Sequence, residues 1–330
     1  MKYSIIVPVY NGEKYILTCL ESLIGQTFDD YEIIIINDGS IDNTETICKR
    51  YLSSGRKIKY IKKGNEGVVI ARQVGVDNAQ GHFLLFVDAD DWVSKDLLVQ
   101  IDCVQKKDDP DLICFETIEV NGDKKQNRNE YVKYPDKIDD NEIRKTIWPR
   151  LIQAPDGSYF SQSLWGKVFR TGSFKEILLR NSSINMGEDF ACVAPYIYKS
   201  KTISFIRDCL YFYRRNDSSL TKNKTVFSWD APQICAHHVE RNIDMERIDF
   251  REQMYRRVCH ELFSVCISRF NQSRSFSEIK REISLKLEED YYKTAVNNCA
   301  FAGLKGVFME TVMKRRLFIP MYFYHKLKYR

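Results

Sequence analysis

Phe83-Leu84-Leu85-Phe86-Val87-Asp88-Ala89-Asp90-Asp91 runs an unbroken apolar stretch straight into a cluster of carboxylates. A short apolar run without alternation suits a strand buried on both faces of a parallel sheet. Ser4-Ile5-Ile6-Val7-Pro8-Val9 and Glu32-Ile33-Ile34-Ile35-Ile36 have the same character, and Ile58-Lys59-Tyr60-Ile61 is a weaker fourth. Between them, Tyr15 to Ile24 sets Ile16, Leu20, Leu23 and Ile24 on one helical side, while Thr44 to Leu52 and Val68 to Ala79 form two further helical segments. The order β-α-β-α-β-α-β over about 90 residues implies an open, mostly parallel α/β sheet flanked by helices. In such sheets ligands bind beyond the carboxyl ends of the strands, so the loops there are where chemistry is expected.

Those loops are Tyr10-Asn11-Gly12, Asn37-Asp38-Gly39-Ser40-Ile41-Asp42 and Asp88-Ala89-Asp90-Asp91. Asp88 and Asp90 can leave the strand end toward one cleft, with Ala89 too small to block it. Two close carboxylates repel, and a hard divalent cation relieves the repulsion; oxygen-only ligation suits Mg²⁺ or Mn²⁺ and argues against zinc. Read alone, Asp90 and Asp91 also suit the cap of a helix beginning near Ser94, and Asn37 to Ser40 also suits a simple turn. A functional Asp38 would accept a hydrogen bond from the edge of a base. No G-x-G-x-x-G follows the first strand and no G-x-x-x-x-G-K-[ST] occurs, which removes the dinucleotide and P-loop readings.

The chain has 330 residues, 44% hydrophobic and 29% charged, with a net charge of +5. That is globular composition with too small a surplus to indicate a nucleic-acid partner. The charge is uneven: residues 1–90 carry 10 basic and 12 acidic side chains, residues 201–330 carry 24 and 15. Ten cysteines without a C-x-x-C read as reduced thiols, with no disulfide or zinc site, and no apolar run approaches membrane-spanning length. A cytoplasmic location is expected. His82, His237, His238, His260 and His325 show no ligand-like spacing.

SIIVPVYN (4–11), NDGS (37–40), Asn65-Glu66-Gly67 with Ala71, Arg72, Gly75, Ala79 and Gly81, and FVDADD (86–91) resemble, in order and spacing, the nucleotide-sugar-binding half of family 2 glycosyltransferases with the GT-A fold. The resemblance continues through Trp165-Gly166-Lys167-Val168-Phe169, Gly187-Glu188-Asp189-Phe190 and Leu210-Tyr211-Phe212-Tyr213-Arg214 with Ser219-Leu220-Thr221. It implies a catalytic domain over 1–221, with a nucleotide-sugar half at 1–110 and an acceptor half at 111–221, and leaves 222–330 as a helical, basic C-terminal subdomain.

The resemblance implies further that the Pro8, Val9 and Tyr10 backbone and Asp38 hold uracil, with Asn65, Gly67, Arg72 and Ala89 on the nucleotide-sugar side. Asp88 would face ribose and donor sugar and share a metal, Mn²⁺ or Mg²⁺, with Asp90. Asp189, beside Glu188, would be the general base of an inverting transfer. Arg214 would compensate diphosphate charge, and Trp165, Lys167 and Ser219 would meet the acceptor. Asn216 stands where many relatives have His. The implied partners are a UDP-sugar carrying galactose, glucose or N-acetylglucosamine, and a growing surface glycan on lipid or protein. A nucleotidyltransferase that makes sugar nucleotides would require a Gly/Arg-rich phosphate loop, which Asn11-Gly12-Glu13-Lys14 is not; a catalytically silent glycan-binding partner would not require all four of Asp38, Asp88, Asp90 and Asp189.

Asp111 to Phe115 reads as another strand, Asn121 to Asp140 as a polar loop, and Arg241 to Phe270 and Phe276 to Tyr292 as helical stretches. From Thr311 to Arg330 there are six basic residues, five aromatic ones and no acid. That composition suits peripheral contact with an anionic membrane or, equally, a last helix packed on its own domain, with Pro320 dividing the segment.

Overall fold

A computed structural model describes residues 1–53, 55, 57–215, 225–247 and 249–328. In chain order the elements are β1 (Tyr3–Val9), α1 (Ile16–Ile24), β2 (Tyr31–Asp38), α2 (Thr44–Arg50), β3 (Ile58–Lys63), α3 (Val68–Asp77), β4 (Phe83–Phe86), β5 (Trp92–Val93), α4 (Leu97–Asp108), β6 (Leu112–Asn121), β7 (Lys124–Asn127), β8 (Lys137–Asp139) and α5 (Asp140–Thr146). Then follow β9 (Lys167–Arg170), α6 (Thr171–Ile177), α7 (Glu188–Lys199), β10 (Thr202–Arg214), α8 (Ala231–Asn242), α9 (Phe250–Ser268), α10 (Phe276–Lys286), α11 (Asp290–Asn298), α12 (Leu304–Lys314) and α13 (Phe318–Lys328).

The chain forms two compact units. One comprises residues 1–143, 163–182 and 199–216, the other 144–162, 183–198 and 217–330. Neither is a single stretch, because segments on either side of β9 leave the first unit and return to it.

The first unit is a sheet of order β3-β2-β1-β4-β9-β6-β10-β5, with β7 added to β6 and β8 to β10. Its first four strands are parallel, as their unbroken apolar runs require, whereas β9 is antiparallel to both β4 and β6. The whole is therefore a mixed sheet. Ile5, Val7, Ile33 and Ile35 pack with Ile16, Leu20 and Leu23 of α1 in one buried cluster. Ile6 and Ile36 point to the other face, where α3 comes so near that a Cβ on Gly75 would lie 2.4 Å from Ile6 Cγ2 and 2.9 Å from Ile36 Cδ1. Glycine at that position is what lets helix and sheet touch. The connection from β1 leads to β2 on one side and β4 lies on the other, so a switch point opens at the carboxyl ends of β1 and β4.

The polar stretch 121–140 is not simply a loop. Gly122, at φ +58°, turns the chain so that β7 pairs antiparallel with β6, and β8 adds to β10. All four β7 side chains are exposed, so backbone pairing with β6 defines the strand, with Lys125 Nζ over the Phe212 ring at 6.0 Å, and no apolar alternation marks it.

In the second unit α9 is the central helix, touched by α8, α11, α12 and α13. Its fully buried Gln253 accepts from Ile152 N–H at 3.0 Å and donates to the Trp148 carbonyl at 2.9 Å, which gathers the 147–153 segment onto the helix. Both expected helical stretches are interrupted, between Asn242 and Phe250 and between Lys286 and Asp290. α10 opens with a capping box: the Ser275 hydroxyl accepts from Glu278 N–H at 3.2 Å, and the Glu278 carboxylate accepts from Ser275 N–H at 2.9 Å. Pro320 does not divide the terminal segment. It sits in the first turn of α13, where no intrahelical N–H is needed, and the break falls at 315–317, with Arg316 at φ +53°.

Candidate active site

At the switch point the loops after β1 and β2 are laced together. Asn11, held at φ +49°, donates its N–H to Ser40 Oγ at 2.9 Å and accepts from Ile41 N–H at the same distance, while Gly12 N–H reaches Thr44 Oγ1 at 2.8 Å. Pro8 and Val9 are buried at the end of β1; the Tyr10 side chain is half exposed above them.

Asp38 ends β2 and is 4% exposed. Its Oδ1 accepts from Lys63 Nζ at 2.5 Å and Glu66 N–H at 3.0 Å, and its Oδ2 from Gly67 N–H at 2.8 Å. Strand register sets Lys63 beside it, and the two N–H groups come from the turn into α3. Gly39, at φ +77°, lets this turn approach: a Cβ there would lie 2.7 Å from the Asn65 nitrogen. Asn65 itself is exposed.

Beyond β4, Asp88 accepts from Arg72 of α3 at 3.1 Å and keeps 29% of its side chain exposed. Asp91 turns the other way and is 1% exposed. It accepts from the Tyr211 hydroxyl and from Arg214 N–H, both at 2.6 Å. Burial first, then the charges of Asp88 and Asp90, push its carboxyl well above the usual range, with the Tyr211 and Arg214 donors opposing. The Arg214 side chain donates from Nε to the Asp90 carbonyl at 2.8 Å and lies over Trp92 at 4.5 Å and Tyr15 at 5.0 Å. Neither Asp90 nor Asp91 caps a helix, because β5 intervenes and α4 begins only after Asp96.

Asp88 and Asp90 thus stand two residues apart, both partly exposed, on a loop anchored from β10. Among the described residues no group of three His, Cys, Asp or Glu converges as a metal site. Two hard oxygen donors with open positions fit Mg²⁺ or Mn²⁺, which keep several ligands from water or substrate phosphate.

The family model described as glycosyl transferase family 2 matches residues 4–178, more than half of the chain. The chain belongs to glycosyl transferase family 2. It is 31% identical over 228 residues to the glycosyltransferase GlyA of Streptococcus pneumoniae serotype 4, covering 67% of this chain and 32% of GlyA. It is 31% identical over 225 residues to the putative glycosyltransferase EpsH of Bacillus subtilis, covering 66% of this chain and 62% of EpsH. The chain thus spans about a third and about three fifths of these relatives. Residues 1–349 of S. aureus TarS, in complex with UDP, superpose with a TM-score of 0.60 at 20% identity, covering 100% of this chain and 88% of that one. The fold is therefore GT-A.

In this family 2 chain, Asp38, Arg72, Asp88, Asp90 and Arg214 lie in the first unit, around the strand ends. Lys167 departs from the expectation that it reaches an acceptor, whereas Trp165 stays partly exposed. Lys167 is 1% exposed and its ammonium donates to the Ser163 carbonyl at 2.9 Å. The Trp165 ring stacks on Tyr211 at 5.2 Å and Tyr213 at 5.4 Å, with the Arg128 guanidinium at 5.3 Å. β9 lies between β4 and β6 with Lys167, Val168 and Phe169 all buried, which leaves the Lys167 ammonium a carbonyl partner in place of solvent, and the ladder of Tyr211 and Tyr213 on one face of β10 captures the indole. Asn216 and Ser219 lie outside the described residues.

Glu188 and Asp189 form the first turn of α7, in the second unit, where the helix dipole favours carboxylates. Gly187 precedes them at φ +83°; a Cβ there would lie 3.1 Å from Glu261 Oε1 and 3.2 Å from Cys235 Sγ. Glu261 pairs with Arg257 at 2.7 Å, and that guanidinium covers the Phe190 ring at 4.3 Å. Burial pushes the Glu261 carboxyl up, Arg257 opposes this, and the Glu188 charge adds to it. The sequence did not single out Lys63, Arg257 or Glu261, whereas Asp91 and Tyr211 both lay in motifs already quoted, without the contact that joins them.

Proposed function

We propose that this chain is an inverting glycosyltransferase that moves a hexose or N-acetylhexosamine, from among galactose, glucose and N-acetylglucosamine, from a UDP-sugar to a hydroxyl of a growing surface glycan on lipid or protein. The observation that carries this reading is the Asp88 and Asp90 pair at the β1/β4 switch point, on a loop that Tyr211 and Arg214 hold from β10. UDP-bound and UDP-GlcNAc-bound TarS support a nucleotide-sugar donor.

In this reading the Pro8–Tyr10 backbone and Asp38 frame uracil. A carboxylate has about four acceptor sites. The chain's own donors at Asp38 are Lys63, Glu66 and Gly67, which leaves room for a base-edge N–H. Asn65, Gly67, Arg72 and Ala89 border the nucleotide sugar, and Asp88 orients ribose and donor sugar. Asp88 and Asp90 would hold Mn²⁺ or Mg²⁺, which when bound offsets the negative charge growing on departing UDP. Arg214 adds positive charge toward the same diphosphate.

The acceptor oxygen attacks the anomeric carbon as the bond to diphosphate breaks, and the acceptor proton passes to an Asp189 carboxylate oxygen, with Glu188 beside it. One in-line displacement inverts the anomeric centre. We place the reaction in the cytoplasm, at the inner face of the cell membrane when the acceptor is lipid-linked.

UDP release from a panel of UDP-sugars with Mn²⁺ tests this. One donor should be turned over, with activity lost on chelation and restored by added metal. No UDP release from any donor, with or without glycan acceptors, would overturn it.

A further inference from the structure

We propose that α12 and α13 present a surface that lies on an anionic lipid bilayer. The proposal deepens the membrane-face location given above by naming the surface that makes the contact, and it stands or falls on binding rather than on turnover.

α13 has two apolar faces. Phe318, Met321 and His325 are buried in the second unit, whereas Ile319, Phe323 and Leu327, four residues apart, form a separate stripe at 63%, 61% and 69% exposure. α12 repeats the arrangement: Met309, Val312 and Met313 are buried, and Leu304 and Val307 face outward, at 94% and 42%. A helix that only packs on its own domain needs one apolar face, so the second has no structural explanation within the unit. The two helices share a layer, since the Phe308 and Tyr324 rings stack at 6.0 Å and both meet Phe263 of α9 edge-on.

The charge selects the partner. Lys305, Arg315, Lys326 and Lys328 are exposed around these stripes. The one acid from residue 299 to 330 is Glu310, and its carboxylate accepts from Lys314 Nζ at 2.8 Å and Phe301 N–H at 2.9 Å. Apolar stripes bordered by cations match the interface of a bilayer with anionic headgroups. A second copy docked on the same face would set cation against cation.

The test is flotation of the full chain with vesicles of phosphatidylglycerol and phosphatidylcholine, or of phosphatidylcholine alone. Binding to the anionic vesicles, weakened by high salt and at least tenfold lower on neutral ones, is expected. Ile319→Ser/Phe323→Ser/Leu327→Ser should weaken it about a hundredfold with an unchanged melting temperature, since these side chains leave water only on the membrane. Lys326→Glu/Arg315→Glu should weaken it without altering the fold. Absent flotation of the wild type, or equal flotation of the triple variant, would overturn the proposal, as would a dimer that the triple variant dissolves. UDP release assayed in the same samples keeps failure of the transferase reading separate.

Discussion

The Tyr211 hydroxyl donates to Asp91 Oδ2 at 2.6 Å and accepts from Asp88 N–H at 3.2 Å. One phenol on β10 thus fixes both ends of the acidic loop that follows β4. Burial, with the neighbouring Asp91 and Asp88 charges, raises the Tyr211 hydroxyl well above its ordinary range, so it stays a donor at any physiological pH. Tyr211→Phe keeps the ring stack with Trp165 and removes the hydroxyl, and with it both the donor to Asp91 and the acceptor for Asp88 N–H. It should cost about 1–3 kcal/mol of stability and lower metal-dependent UDP release at least tenfold; an unchanged melting temperature and rate would show that the loop holds its shape without the bond.

Asp38 is both a proposed uracil contact and the acceptor for Lys63 and two N–H groups. Asp38→Ala should therefore weaken UDP affinity and destabilise the first unit by about 3 kcal/mol, the scale for breaking a buried pair. Calorimetry of UDP binding and a denaturant titration measure the two effects. Lost affinity at full stability would mean that Lys63 finds another partner.

The two carboxylate sites separate by their kinetics. Asp90→Ala should abolish metal-dependent turnover, while Asp189→Asn should retain UDP-sugar binding and lower transfer by about a thousandfold or more. Normal transfer by Asp189→Asn would move the base to Glu188 or another group.

Acid should weaken the second unit through His260. Burial, then the nearby Arg257, Lys305 and Lys328 charges, push its imidazole down to about 3, and its Nδ1 lies 3.0 Å from Gln153 Nε2. The unfolded chain binds this proton near pH 6.5, so stability is full above that value and falls as pH drops toward 3. Between pH 7 and pH 5 the loss is about 2 kcal/mol. Denaturant midpoints of the wild type and His260→Gln should converge as pH falls; parallel curves would show that His260 takes up its proton while folded.

The parallel half of the sheet, its helices and the acidic turn after β4 were legible in the residues, because strands buried on both faces must be apolar throughout and the loops at their ends are left to carry polar groups. The β6–β7 hairpin was hidden because exposed side chains leave no periodic mark. The interruptions in the C-terminal helices were hidden for a different reason: helical spacing continues through short breaks, and a proline in a first turn reads like one that ends a helix.

By itself the sequence determined the α/β class, the acidic loop and the membership in family 2 that its motifs signalled. Only the tertiary structure decided which carboxylate of the acidic loop is exposed and which is buried: Asp88 partly open to solvent beside Arg72, Asp91 against Tyr211. It also decided that strand register sets Lys63 on Asp38, that Lys167 points inward, and that both units are assembled from separated stretches of chain. The reason is physical. Residue type sets what a side chain can do, but a carboxylate or ammonium acquires its partners and its solvent from strands and helices far away in sequence.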